Sequence, residues 1–226
     1  MTLAKFRRLY LYPKLCAQKK GAYYISLGYI RTVDESSQLI VVLYLTNKVK
    51  GVNTYMNAKT SIDNFILRST SIKDCPLILG FIKELAEYEK LSHEVVATVK
   101  TLEKNLFSKK AYAEVIIGEY KNVAVGYALF FHNFSTFTGR PGIYLEDIYV
   151  KPEMRGKGFG KCMLSYVANI AVERDCSRVE WSVLDWNEPS IQFYRSIGAI
   201  PMDGWTVQRL HQGALSRFAA EYEKMK

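Results

Sequence analysis

From about Ile62 onward the chain alternates between two hydrophobic periods. "FILRST", "YAEVIIG", "VAVGYALFFH" and "GIYLEDIYV" carry apolar residues in short runs or at every second position, which predicts strands. The second and third of these form a hairpin around the turn "EYKN", and the fourth is closed by Lys151 and Pro152. Ile78, Phe81, Ile82, Leu85 and Tyr88 instead recur at three and four residues, the spacing of a helix, with Ser71 and Asp74 as a capping box ahead of it. A shorter helix is predicted over Thr98 to Phe107.

Beyond a glycine-rich loop, Phe159, Met163, Tyr166, Val167 and Ile170 mark a helix packed on the sheet. "RVEWSVLDW" reads as the next strand. A further helix begins near Asn187, with Pro189 in its first turn and Gly198 just past its end. "GWTVQRL" reads as a late strand, and an amphipathic helix finishes the chain. Strands and helices in this mixed order predict an α/β (α+β) domain over 61–226, with no internal repeat. Residues 1–60 hold strand-like pieces, "AYYISLGYI" and "LIVVLYL", and form a separate extension.

Composition adds that 49% of the 226 residues are hydrophobic and 13% aromatic, enough to fill a core. The longest purely apolar run, Leu39 to Leu45, is far short of the roughly 18 residues of a membrane span, so no membrane partner is expected. The net charge of +9 suggests nucleic acid until it is divided by position. Residues 1–60 carry ten Lys and Arg against Asp34 and Glu35, whereas the remainder carries 21 bases and 20 acids. The basicity therefore belongs to the extension, and no nucleic-acid partner is expected of the main domain. A targeting presequence, a small structural extension, a nucleic-acid or membrane contact and a misassigned start codon all remain open for 1–60. Cys16, Cys75, Cys162 and Cys176 lack a CxxC pair, which suits reduced thiols in a cytoplasmic protein. His93, His132 and His211 form no ligand cluster, so no metal is expected.

The candidate chemistry starts at "RGKGFG". A Walker loop needs GxxxxGK before Ser or Thr, and a dinucleotide fingerprint needs a glycine where Lys161 stands, so neither fits. Arg-x-x-Gly-x-Gly, here Arg155, Gly158 and Gly160, does fit. Small residues between a strand and a helix let successive N–H groups face one anion, helped by the positive end of the helix dipole. That geometry suits a pyrophosphate; a tight turn with solvated Arg155 and Lys157 is the competing reading.

With "YLED" before this loop and "WNEPSIQFY" after it, the sequence resembles the GNAT superfamily of N-acetyltransferases. It is most similar to the branch of spermidine/spermine (diamine) and thialysine N-acetyltransferases. "KELAEYE" at Lys83 to Glu89 and "GA" at Gly198-Ala199 extend the likeness over about 62–210. The resemblance implies a mixed, mostly antiparallel central sheet flanked by helices and splayed at the acyl-CoA site. It also implies acetyl-CoA as co-substrate, direct transfer to a small-molecule amine in a ternary complex, and a homodimer.

Residue by residue, the resemblance assigns Tyr194 as proton donor to the departing thiolate and Glu146 as the base that acts on the amine through water. A primary alkylamine with a pKa of about 10.4 is neutral in only roughly one part in 10³ at pH 7, so a base lowers a cost of about 4 kcal/mol. Ile148, Tyr149 and Val150 would pair a strand edge with the pantetheine amides. Gly156, Lys157, Gly158, Phe159, Gly160 and Lys161 would hold the pyrophosphate through backbone N–H groups, with Arg155 adding charge. Asn187 would bond the pantetheine arm, with Ser190 nearby. Tyr88, Glu89, Glu146, Asp147 and Asp203 would meet the substrate. Strand alternation puts Glu146 and Asp147 on opposite faces unless a bulge intervenes, as it does in this family's strand.

Plainer roles compete: packing for Tyr194, a helix N-cap for Asn187, solvated or salt-bridged acids for Glu146 and Asp147. Cys162 reads as a helical cysteine facing the core rather than an acyl carrier. "EWS" at Glu180 to Ser182, Ser196 and "MDGWTVQRL" depart from the strict polyamine enzymes, and the last looks more like the thialysine relatives. A small di- or polyamine is thus the first expected substrate. Thialysine, a lysine-like amino acid or a protein amine is the alternative, and a basic binding module using 1–60 is the alternative of another class.

Overall fold

The computed structural model describes residues 57–226, so the extension lies outside the described residues except for 57–60. Lys121 and Asn122 both take the left-handed backbone, at φ 52° and 64°, and the chain reverses in two residues. This tight turn folds β3 (Glu114–Tyr120) onto β4 (Val123–Ser135). With β1 (Ala58–Lys59), β2 (Phe65–Ser69) and β5 (Arg140–Val150) they form a ladder in sequence order, every pair antiparallel. The three long strands lie where the alternating pattern predicts them.

Two irregularities break the ladder. β3 pairs Gly118 with Gly126 and Glu119 with Ala124, which leaves Val125 as an extra residue. β4 pairs Leu129 with Asp147 and Phe130 with Leu145, which leaves Glu146 as a second one. An inserted residue reverses the phase of alternation beyond it. Leu145 therefore shares a face with Phe130, while Asp147 shares the opposite face with Leu129 and Tyr127.

Each face is covered by a helix. Ile78 and Phe81 of α1 (Cys75–Tyr88) pack with Val115, Ile117, Tyr127 and Tyr149, and Ile82, Leu85 and Leu102 close around them. Leu102 belongs to α2 (Val99–Leu106), whose N-cap Thr98 accepts from the Thr101 N–H at 3.2 Å. On the other face Phe159 and Met163 of α3 (Phe159–Glu173) pack with Phe65, Leu67 and Val125. The Ser71 and Asp74 capping pair opens a single 3-10 turn that runs into α1, with the Ser71 N–H donating to Asp74 Oδ2 at 2.7 Å. Arg68 ties that turn to the sheet through Asp74 at 2.8 Å and Glu119 at 2.6 Å. Arg174 grips Glu114 with both terminal nitrogens, at 2.6 and 2.7 Å, and fixes the end of α3 to β3.

The described residues form two compact units, one ending at Arg178 and one running Val179–Lys226. The second holds β6 (Val179–Glu180), α4 (Glu188–Ser196) and α5 (Gln212–Lys224). Two expected strands are corrected here. Of "RVEWSVLDW" only Val179 and Glu180 take strand form, and "GWTVQRL" takes none. Alternation offers an apolar face, but a strand needs a partner for its N–H and C=O groups. Trp205, Val207 and Leu210 are instead more than half exposed. The helix predicted from Asn187 is present, and Gly198 ends it at φ 87°.

Gly126 shows how closely β4 approaches β5. A Cβ there would run into the Tyr149 carbonyl oxygen, with Val150 Cα 3.2 Å and Met163 Cε 3.3 Å away. Gly126→Ala is therefore expected to cost about 2–3 kcal/mol by overpacking. Urea denaturation measures this, and an unchanged unfolding midpoint would show that the strands give way freely.

Candidate active site

Arg155 to Lys161 carry the chain from β5 into α3. Gly156 and Gly158 sit at φ 76° and 83°, conformations that L side chains resist, so both glycines are required by the turn itself. Gly160 is different: a Cβ there would meet only Val150 Cγ2 at 3.7 Å, an ordinary contact. No strain in the backbone therefore requires glycine at this position. Gly158 occupies the N-cap position, and the first intrahelical bond runs from the Cys162 N–H to the Gly158 carbonyl at 2.9 Å. The N–H groups of Phe159, Gly160 and Lys161 thus belong to the first turn, which has no carbonyls before it and attracts anions. Phe159 contributes only its backbone to such a cradle. Its ring is buried and stacks on Phe65 at 4.2 Å and 9°, which anchors the helix start to β2.

Arg155 makes its own contacts beside this loop. Its Nε donates to the Val150 carbonyl at 3.0 Å, and its guanidinium lies 4.5 Å from the Tyr88 ring centroid and 5.8 Å from that of Tyr149. The side chain links the loop to the C-terminal end of α1. Ile148, Tyr149 and Val150 are zipped on one edge to Ala128, Tyr127 and Gly126. Tyr149 is buried, and its phenol is pushed up to about 12 by that burial and by Glu84.

A cleft of about 340 Å³ opens beside α1. Ile82, Leu85 and Val95 form apolar wall, and Glu89, Glu94 and Asp147 supply carboxylates. Burial raises the Glu89 carboxyl above its usual range, and Asp147 raises it further. Burial likewise raises Asp147, against a lowering by one hydrogen bond: Tyr127 Oη donates to Asp147 Oδ2 at 2.7 Å. Burial and the charges of Asp147, Glu89 and Glu146 all hold the Tyr127 phenol protonated. The structure therefore brings Glu89, Asp147 and Glu146 into one electrostatic neighbourhood, with Asp147 turned inward and Glu146, at the bulge, exposed to solvent. Such a cleft has the chemistry to suit an alkylammonium: apolar wall for methylenes, carboxylates for a positive charge.

Tyr127 escaped the sequence reading. "VAVGYALFF" is a plain strand pattern, and nothing in it distinguishes a tyrosine whose hydroxyl meets a carboxylate from one that only packs. The other expected site residues, Tyr194, Asn187, Ser190 and Asp203, belong to the second unit. Tyr194 is half-buried on α4, its ring edge-on to Trp181 at 5.0 Å and 61°. Asn187 holds the N-cap position of α4 through its carbonyl, which accepts from the Ser190 and Ile191 N–H groups at 3.1 and 3.0 Å. Asp203 is exposed. Cys162 faces partly inward and burial raises its thiol, the opposite of an activated nucleophile.

A model of the acetyltransferase (GNAT) family matches residues 82–199. The chain is 36% identical over 167 residues to a thialysine N-epsilon-acetyltransferase of Sus scrofa, a match covering 69% of this chain and 98% of that protein. It is 32% identical over 173 residues to spermidine/spermine N(1)-acetyltransferase-like protein 1 of Homo sapiens, covering 72% of this chain and 25% of that longer protein. An integron cassette protein from the mobile metagenome of V. cholerae has a similar fold, with TM-score 0.60 at 24% identity over 69% of this chain and 98% of its own.

The raised carboxyl of Asp147 has a measurable consequence for stability. A folded pKa above the unfolded 3.8 means that the folded state holds more protons, so stability falls as pH rises through that interval. Asp147→Asn does not titrate and keeps an oxygen for Tyr127. Relative to wild type, the variant is expected to gain stability as pH rises above about 4, through the raised carboxyl of Asp147, and then level off, read by urea unfolding. A difference that stays flat with pH would show that Asp147 carries no such strain.

Proposed function

The chain belongs to the acetyltransferase (GNAT) family, and from that premise we propose that it transfers the acetyl group of acetyl-CoA to a primary amine of a small di- or polyamine, by direct attack in a ternary complex. The observation that carries this reading is the cleft at α1, where Glu89 and Asp147 face a space walled by Ile82, Leu85 and Val95. A second reading, a thialysine or lysine-like amino acid as acceptor, is favoured by the similarity to a thialysine enzyme along nearly that protein's whole length. Both substrates present an ammonium on a short methylene chain.

Acetyl-CoA, when bound, supplies an acetyl group already activated as a thioester. The residues present suit it. Gly156 and Gly158 give the loop its shape, and the first-turn N–H groups of Phe159, Gly160 and Lys161 would hold the pyrophosphate. Asn187, with Ser190 beside it, would hold the pantetheine arm. Glu89 and Asp147 bind the ammonium and bring its nitrogen to a fixed place. Glu146, at the solvent-exposed bulge, accepts the amine's proton through water, because only the neutral nitrogen has a lone pair to attack with. Tyr194 donates a proton to the departing sulfur, and its contact with Trp181 limits the ring's freedom.

Acetyl-CoA turnover over a panel of spermidine, a short diamine and thialysine tests the reading and separates its two forms by kcat/KM. Tyr194→Phe is expected to lower kcat by roughly 10²-fold with little change in amine KM, as removal of a general acid does. Absence of turnover on every amine, or a Tyr194→Phe kcat unchanged between pH 7 and 9, would overturn the assignment.

A further inference from the structure

Tyr127 is fully buried, stacked on Phe81 at 5.4 Å and 7°, and its hydroxyl ends on a carboxylate of the cleft. A phenol used only for packing in this position would be replaced without loss by phenylalanine. The register explains the contact. Tyr127 stands opposite Tyr149, and Asp147 lies two residues before Tyr149 on the same face, within diagonal reach. Both bulges are needed. The one at Val125 turns Tyr127 toward α1, and the one at Glu146 turns Asp147 the same way.

We propose that Tyr127 is a positioning residue of the acceptor site: its buried hydroxyl holds Asp147 in one rotamer and in its ionised form, so that the cleft presents an oriented anion to the incoming ammonium. This rests on the reading of the cleft as the amine site. A neutral donor suits the task. It stabilises the anion by hydrogen bonding and leaves its charge for the substrate, whereas an Arg or Lys partner would neutralise it. The groups around Asp147 are Glu89 at the end of α1, Glu94 across the cleft, Tyr127 on β4, and Glu146 on β5. Tyr149, Glu84 and Lys151 continue the same side, with Lys151 paired to Glu84 at 3.7 Å. Burial opposes ionisation of Asp147, and the Tyr127 bond counters it.

Steady-state kinetics of Tyr127→Phe, Asp147→Asn and the double variant, at saturating acetyl-CoA across pH, test this. Tyr127→Phe is expected to raise amine KM roughly tenfold with kcat within about twofold, the size of losing one hydrogen bond to a charged group. Its acid limb of kcat/KM moves to higher pH, because Asp147 without the donor ionises later. The double variant is expected to be no worse than Asp147→Asn alone. An unmoved limb and KM in folded Tyr127→Phe, beside an impaired Asp147→Asn, would overturn the positioning role. An amine KM unchanged in Asp147→Asn would instead overturn the reading of the cleft. If Tyr127→Phe does not fold, 3-fluorotyrosine placed at 127, a stronger donor of nearly the same shape, is expected to move the limb to lower pH; an unmoved limb again overturns the proposal.

Discussion

A regular strand sends alternate side chains to opposite faces, so an unbroken β5 would point Leu145 and Asp147 the same way. Leu145 is buried against the α3 side of the sheet, and Asp147 would follow it into a purely apolar layer. One extra residue prevents this. With Glu146 outside the pairing, Leu145 stays opposite Phe130 while Asp147 stands opposite Leu129, on the α1 side. The Asp147 carboxylate in the cleft and its contact with Tyr127 both follow from that reversal. The earlier bulge at Val125 is its counterpart, since it brings Tyr127 onto the same face that Asp147 later reaches.

The two halves of the proposed chemistry meet at the end of α1. Phe159 is pinned by Phe65, so the start of α3 and its N–H groups have a fixed origin on the sheet. Arg155, four residues earlier, leans over Tyr88 and bonds the Val150 carbonyl. Glu89, next to Tyr88, lines the cleft. The loop proposed to hold an anion and the cleft proposed to hold a cation are thus joined through one guanidinium and one aromatic ring. Movement of the loop would reach Glu89 through that contact.

Long periodic segments were legible because their pattern and their burial have one cause. Ile78 and Phe81, or Met163, Val167 and Ile170, are spaced for the face they bury. The loop was legible for another reason: Gly156 and Gly158 are needed at positive φ, and no other residue serves as well. "GWTVQRL" misled because alternation describes a possible face and says nothing of a neighbouring strand. Tyr127 was hidden because its role depends on register. Register depends on two inserted residues, and neither Val125 nor Glu146 differs in kind from its neighbours. The bulge at Glu146 could be expected from the family resemblance, but the tyrosine it brings to Asp147 could not.

Among the described residues, neither Glu89 nor Asp147 of the cleft forms a salt bridge to an Arg or Lys, whereas Glu94 lies 3.4 Å from His93 Nε2. Burial disfavours both Glu89 and Asp147 as anions, and a neighbouring Arg or Lys would relieve that strain. Two cations near α1 engage other partners, Lys151 with Glu84 and Arg155 with the ring of Tyr88. Had either paired with Asp147, the carboxylate would be stable and useless for an ammonium, since substrate would have to displace an internal partner. A phenol avoids both outcomes: it orients the oxygen and eases its ionisation without cancelling its charge. Under the proposed reading, the ammonium of the substrate completes the field around Glu89 and Asp147.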